Sequence, residues 1–71
     1  MRLSYDPATD SLYIHLNDHP GTDSTEVSAG VVLDFDKNGG LVGIDVQHAS
    51  KNADIHRLLL NRMPFKELEA A

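Results

Sequence analysis

The sequence predicts a single α+β domain in which an antiparallel β-meander of four to five strands packs against one C-terminal α-helix. Two observations support this prediction. Apolar and polar side chains alternate through the first two thirds of the chain, as they do in strands with one solvated face. After residue 47 the apolar residues recur with the period of a helix. Because the chain has 71 residues, we expect one domain, with the meander over 1–47, the helix over 50–63 and a tail or short helical turn over 64–71.

Each predicted strand is bounded by residues that favour turns. Pro7 stands between aspartates after the first strand, and Asn38-Gly39 supplies the positive φ that a tight hairpin requires. Because the strands follow one another through short connections, a meander is the simplest topology. The alternation places one apolar set on a common face: Leu12, Ile14, Leu16, Leu33, Val42, Ile44 and Val46.

The predicted helix carries one apolar stripe. Ile55, Leu58, Leu59 and Met63 lie at i, i+3, i+4 and i+8, and Pro64 prevents continuation beyond about residue 63. This stripe is expected to pack on the apolar face of the sheet in a two-layer arrangement.

A second apolar surface is predicted at the C-terminus. Leu60 lies off the helical stripe, and Phe65 follows the proline that ends the helix. Together with Met63 they form a candidate interface for a partner chain. A chain of this length buries only about 60% of the surface that its unfolded form exposes, and without cysteine it has no disulfides. A second copy of the chain, as a homo-oligomer such as a dimer, is therefore the expected source of further burial.

Charge and composition narrow the classes of partner. Eleven acidic residues against six basic ones give a net charge of −5, which opposes nucleic-acid binding and suits a basic protein partner. No stretch is long and apolar enough for a membrane span, and the first residues lack the apolar core of a signal peptide. We therefore expect no membrane association and a cytoplasmic location.

Two sets of residues are candidates for metal binding. Asp34, Asp36, Asn38 and Asp45 match the spacing of an EF-hand calcium loop. The segments that flank this set have the pattern of strands, however, and a hairpin turn explains the same residues. His15 and His19 offer imidazole nitrogens to a transition metal, but a strand end and a loop give their i, i+4 spacing no geometric meaning. Polar surface residues are the simpler interpretation, and no cofactor is predicted.

Acid–base residues are also present, on the polar face of the predicted sheet. Tyr13, His15, Asp34 and Asp45 all fall there. Catalysis needs ionisable groups held in a cleft with separated pKa values, and one sheet with one helix offers no concavity short of a subunit interface. The chain has no cysteine nucleophile, nucleophile elbow, phosphate loop or zinc-protease motif. We therefore assign no catalytic residue and predict that the chain is not an enzyme.

The order of segments resembles a known family. Residues 5–14, YDPATDSLYI, resemble the opening "YDPEADALYI" of the bacterial domain-of-unknown-function family 2283. Residues 31–36, VVLDFD, and 40–46, GLVGIDV, resemble its centre, "VILDLDEDGRLVGIEIL". Residues 49–51, ASK, match the "DASKR" that ends it, with His48 where an acidic residue is common. The similarity covers about residues 1–52.

This resemblance implies a small uncharacterised bacterial protein. Some members lie beside genes for small basic proteins that look like toxins, which implies an antitoxin-like role. We therefore expect a protein-interaction module. The alternative is a metal-binding or metal-regulated domain, and a third possibility is a small enzyme with a site between subunits.

Overall fold

Five strands and one short helix make up the fold. The computed structural model describes residues 1–70. The strands are β1 (Arg2–Asp6), β2 (Ser11–His15), β3 (Asp23–Ser28), β4 (Val31–Phe35) and β5 (Leu41–Val46), and the helix is α1 (Ala49–Asn52). The predicted α+β class, with an antiparallel sheet followed by a C-terminal helix, is confirmed.

The strand order is β1-β2-β5-β4-β3, and every neighbouring pair is antiparallel. Strands β3, β4 and β5 form a meander, whereas the β1–β2 hairpin joins along β5 and not along β3. The connection from β2 to β3 crosses the end of β5: Leu16 N–H donates to Val42 O at 2.9 Å, and Thr22 N–H donates to Phe35 O at 2.8 Å. This order places the apolar strands β2, β5 and β4 in the centre and the exposed, polar β3 at an edge.

The sheet has one apolar and one polar face, as the alternation predicts. Residues paired across antiparallel strands share a face, so the register defines both surfaces. We call the first the apolar face; its aligned rows are Leu3–Ile14–Ile44–Leu33 and Tyr5–Leu12–Val46–Val31. We call the second the polar face; its rows are Arg2–His15–Gly43–Asp34–Ser24 and Ser4–Tyr13–Asp45–Val32–Glu26.

The β4–β5 connection is the predicted hairpin. Asp36 Oδ1 accepts the N–H groups of Asn38 at 2.9 Å and Gly40 at 2.8 Å, and Gly39 has φ 82. These amide bonds, that of Gly40 first, hold the pKa of the Asp36 carboxyl below its usual value. The turn uses the carboxylate as an internal acceptor, which is the ordinary role of aspartate in a tight turn.

The helix is shorter than predicted. It spans Ala49–Asn52, and not residues 50–63, and it begins after His48, whose φ is 50. We call residues 53–70 the C-terminal segment; it contains no helix or strand. Helices of few turns are marginal without a packing surface, and α1 is stabilised by local contacts at one end of the sheet. Ala71 lies outside the described residues. No helix in residues 1–70 is long and apolar enough to cross a membrane.

The core is small. Val42 and Ala49 are the buried hydrophobic residues of the described chain, while the central residues of the apolar face are only half-buried. The predicted layer, a helical stripe over this face, is not present in the single chain. As a result, no helix within residues 53–70 provides the second layer that such elements normally require to bury their apolar surface.

Candidate functional site

The polar face gathers the residues predicted for acid–base chemistry. Tyr13 and His15 come from β2, Asp45 lies opposite Tyr13 on β5, and Asp34 lies one strand farther on β4. Their shared face follows from the two-residue period of the strands. The expectation that these four residues lie on one solvated face is therefore met.

Tyr13 reaches across β5 to Asp34. Its hydroxyl donates to Asp34 Oδ2 at 2.5 Å, and Ser24 Oγ donates to Asp34 Oδ1 at 2.5 Å. The strand between them carries Gly43, which is buried under the tyrosine ring. A Cβ at residue 43 would overlap Tyr13 Oη. The absence of a side chain at Gly43 thus allows the bond between two strands that are not neighbours.

Hydrogen bonding fixes the protonation of this pair. The bond to Asp34, with smaller contributions from burial and the charges of Asp34 and Asp45, raises the pKa of Tyr13 to about 12. Bonds from Ser24 and then Tyr13 lower the pKa of Asp34. At neutral pH the phenol is protonated and the carboxylate is charged, so neither group has the pKa near 7 that suits a general acid or base. The cluster presents a fixed negative charge held by two hydroxyls.

Asp45 is the least satisfied member of the polar face. Its Oδ1 atom is buried and has no hydrogen-bond partner among the described residues. Buried polar atoms usually have a partner, so this oxygen is an exception within the described chain. Beside it, the rings of Tyr13 and His15 lie with centroids 4.4 Å apart at an angle of 59°.

The two histidines predicted as metal ligands contact different residues. His19 Nδ1 lies 3.3 Å from Asp36 Oδ2, whereas His15 lies against Tyr13. Asn38 lies with His19 and Asp36 around a shallow depression of about 320 Å³. Within residues 1–70, no three histidine, aspartate or glutamate side chains are placed to share one ion.

A second polar cluster joins the β1–β2 hairpin to α1. Asp10 has φ 54 and accepts three bonds on its carboxylate: from Tyr5 Oη at 2.8 Å, Ser50 N–H at 3.1 Å and Ser50 Oγ at 2.6 Å. Its backbone oxygen accepts the Ala49 N–H at 2.9 Å. These bonds, that of the Ser50 hydroxyl first, lower the pKa of Asp10. Asp10 therefore caps α1 from a distant part of the chain.

The candidate interface residues are accessible. Leu60, Met63 and Phe65 expose 38%, 41% and 44% of their surface, and Leu58 and Leu59 expose 65% and 67%. All five belong to the C-terminal segment. The structure thus places every predicted interface residue where a partner can reach it.

Three contributions to these sites were missed from the sequence: the bond from Ser24 to Asp34, and the bonds that Tyr5 and Ser50 make to Asp10. Ser24 is aligned with Asp34 only through the β3–β4 register. Ser50 lies 40 residues from Asp10. Tyr5, Asp10 and Ser50 all lie in the segments that resemble the family, but those segments do not show that the three residues touch.

The comparisons with known proteins agree with the resemblance. A family described as a protein of unknown function, DUF2283, matches residues 2–50. An uncharacterised protein of Methanocaldococcus jannaschii is 31% identical over 68 residues, which cover 93% of this chain and 58% of that protein. The chain therefore spans less than two thirds of that relative's length. The relative is archaeal, so proteins similar to this chain are not confined to bacteria.

No solved structure matches the chain. The family match covers most of the sequence and includes all five strands, the Asp10–Ser50 contact and the Tyr13–Asp34 pair. The C-terminal segment lies beyond it. The chain belongs to the DUF2283 family of proteins of unknown function.

Proposed function

We propose that this chain is a protein-interaction module that associates with a second copy of itself to form a homodimer. The observation that carries the proposal is the excess of accessible surface on the single chain. The chain exposes 5863 Å², whereas a folded monomer of its mass, 7.8 kDa, is expected to expose about 4,400 Å².

The excess is of the size that a dimer buries. It amounts to about 1,500 Å² per chain, and obligate homodimers bury about 1,000–2,500 Å² on each partner. The chain is also extended for its length. Its radius of gyration is 13.0 Å, compared with about 11 Å for a compact domain of this length. Both measures support a fold that is completed by another chain.

The exposed surface is apolar in two regions. One is the C-terminal segment, which contributes Leu58, Leu59, Leu60 and Phe65; the other is the β1 end of the apolar face, where Leu3 and Tyr5 are exposed. Single exposed apolar residues are ordinary, but several of them within one short segment suit an interaction site. Because the chain has no cysteine, a disulfide does not supply the missing stability.

Charge substitutions in the C-terminal segment test the proposal. Leu60→Glu and Phe65→Glu each place a carboxylate within the proposed interface and are expected to weaken dimerisation at least about tenfold, since a buried leucine or phenylalanine contributes about 1.5–3 kcal/mol. Asn61→Glu adds the same charge at a polar position and is the matched control. Light scattering gives the mass of each variant. Equal dimerisation by all three variants would contradict the proposal.

A second candidate function is the binding of a basic protein, which is the antitoxin-like role. The polar face favours it, because Asp34 is held in its charged form and Asp45 and Glu26 share that face. With a net charge of −5, the chain would attract a basic partner over a distance.

Calorimetry with a purified basic protein that co-purifies with the chain tests this second role. Its affinity is expected to fall at high salt and with Asp34→Asn or Asp45→Asn. Asp18→Asn, in an exposed loop, is the control. An affinity that is independent of salt and of all three substitutions would contradict this role.

A further inference from the structure

We propose that residues 55–63 fold into an α-helix when two copies of the chain associate, and that this helix covers the apolar face of the partner's sheet. The inference rests on the proposed dimer and goes beyond it, because it specifies which segment covers which surface. In the single chain the segment is not helical, and its apolar side chains are exposed except for that of Ile55, which is half-buried.

The residues before this segment have a contact that is found at the N-terminus of a helix. Asp54 Oδ1 accepts the His56 N–H at 3.3 Å, and residues 55 and 56 form a turn. A bond from a capping aspartate to the amide two residues later is the contact found at helix N-termini. The carboxylate also interacts favourably with the positive end of a helix dipole. Asp54 therefore occupies the position of an N-cap for a helix that begins at Ile55.

The side chains of the segment fit a helix with one apolar side. Ile55, Leu58, Leu59 and Met63 recur at helical spacing, and Arg57 and Asn61 fall on the opposite side. Arg62 falls within the apolar stripe with its long side chain, and Leu60 lies outside the stripe. In the single chain the segment is not helical, and Leu58 and Leu59 are among the most exposed apolar residues. Packing on an apolar surface would use the whole stripe.

The end of the segment is strained in the single chain. Arg62 has φ 53, a left-handed conformation that costs free energy for a residue with a side chain. Folding residues 55–62 into a right-handed helix removes that cost. Pro64 disfavours helical geometry at the residue before it, so the helix ends at about Met63.

The proposed helix is long enough to cross the central strands of the apolar face. A helix over residues 55–63 is about 14 Å long, whereas the axes of three strands spaced about 4.8 Å apart span about 10 Å, so the helix is long enough to cross them. The three central strands β2, β5 and β4 present a half-buried apolar surface. A two-fold dimer would exchange two such helices and cover both sheets.

Coupling to association follows from the length of the helix. Helices shorter than about 12 residues are marginal in water, so this one depends on a packing surface. The chain's own sheet does not hold the segment as a helix, so in the proposed dimer the packing surface comes from the second copy. The segment therefore becomes helical when it packs on the partner. The conformational entropy lost in this step reduces the affinity of the dimer.

Two substitutions at one exposed polar position provide the first test. Asn61→Pro blocks the helix without removing an apolar contact and is expected to weaken dimerisation at least about 100-fold. Asn61→Ala favours the helix and is expected to keep or tighten dimerisation by up to about threefold. Sedimentation gives the dissociation constants. Circular dichroism is expected to show helix content rising with the dimer fraction for wild type and Asn61→Ala.

The outcomes separate this inference from the proposed dimer. A dimer with equal affinity in both variants, or with helix content independent of concentration, overturns the inference and leaves the dimer standing. A chain that remains monomeric at all concentrations overturns both.

A labelling experiment identifies the sheet that is covered. The chain has no cysteine, so Asn61→Cys gives one site for a nitroxide label. When that variant is mixed with ¹⁵N-labelled wild-type chain, the amides of β2, β5 and β4 are expected to broaden, because only an intermolecular contact links label and isotope. If a mixed dimer forms and the amides of these strands are not broadened, the helix of one chain does not cover the sheet of its partner.

Discussion

At the scale of single residues, the polar face depends on a glycine. Tyr13 on β2 bonds to Asp34 on β4, and the ring passes directly over Gly43 on the strand between. Tyrosine and aspartate alone do not make this contact, since any Cβ at residue 43 would occupy the position of the hydroxyl. The identity of one small residue thus determines whether the three central strands are linked by side chains.

Gly43→Ala is predicted to destabilise the fold by about 1–3 kcal/mol, the usual cost of forcing extra atoms into a packed site. Its methyl group would displace the Tyr13 hydroxyl from Asp34. Chemical denaturation measures the change. In a Tyr13→Ala background the same substitution is expected to cost much less, because the clash is gone. Costs that are equal in the two backgrounds would show that Gly43 matters for another reason.

Tyr13 is predicted to titrate far above an ordinary tyrosine. Its pKa is about 12, because the protonated hydroxyl is held by Asp34. Since the folded pKa exceeds the unfolded value of 10.0, its contribution to stability is complete below pH 10 and is lost as the pH rises towards 12. Ultraviolet absorbance of tyrosinate, with Tyr5→Phe to assign the two steps, measures the titration. A Tyr13 that ionises near pH 10 would contradict the bonded geometry.

At the scale of elements, α1 is attached through a residue that is distant in sequence. Asp10 accepts bonds from Tyr5, Ala49 and Ser50, and so joins the first hairpin to the helix. Helix termini leave unsatisfied amides that a capping side chain normally serves. Here the capping residue lies in the β1–β2 turn, so the bond links the first hairpin to the end of the segment that matches the family.

Asp10→Ala is predicted to loosen α1 without unfolding the sheet. The Ser50 N–H loses its acceptor, and alanine is disfavoured at the positive φ of residue 10. Hydrogen exchange at Ala49 and Ser50 is expected to accelerate relative to β5. Asp18→Ala removes a carboxylate from an exposed loop and is the control. Unchanged exchange at Ala49 and Ser50 would show that the cap is not needed.

The elements differ in how far the sequence predicts them. The strands and the Asp36–Gly40 turn follow from alternation and turn chemistry, which are local signals. The same alternation places Tyr13, His15, Asp34 and Asp45 on one face. The pairing of β2 with β5 and the bond from Ser24 to Asp34 depend on long-range register, which has no local signature.

The predicted helix over residues 50–63 shows what the sequence pattern does not predict. The apolar spacing of residues 55–63 is helical, yet the single chain leaves them without regular structure because helical propensity alone does not hold so short a segment. Periodicity indicates which face a helix would present, but it does not indicate where the packing surface comes from.

At the scale of the whole molecule, the chain resembles one half of a domain core. One face of the sheet carries the apolar rows, which are half-buried in the centre, and the C-terminal segment carries a second apolar set that is exposed. The excess surface of about 1,500 Å² per chain is comparable with one side of an obligate interface. Association of two copies would give the sheet its second layer.

Sedimentation equilibrium of the wild-type chain, from low to high micromolar concentration, tests this account most directly. We predict a mass of about twice 7.8 kDa at the higher concentrations, because each chain lacks a second layer that its partner supplies. A mass that stays at 7.8 kDa throughout the range would contradict the account, since the apolar face would then be stable without a partner.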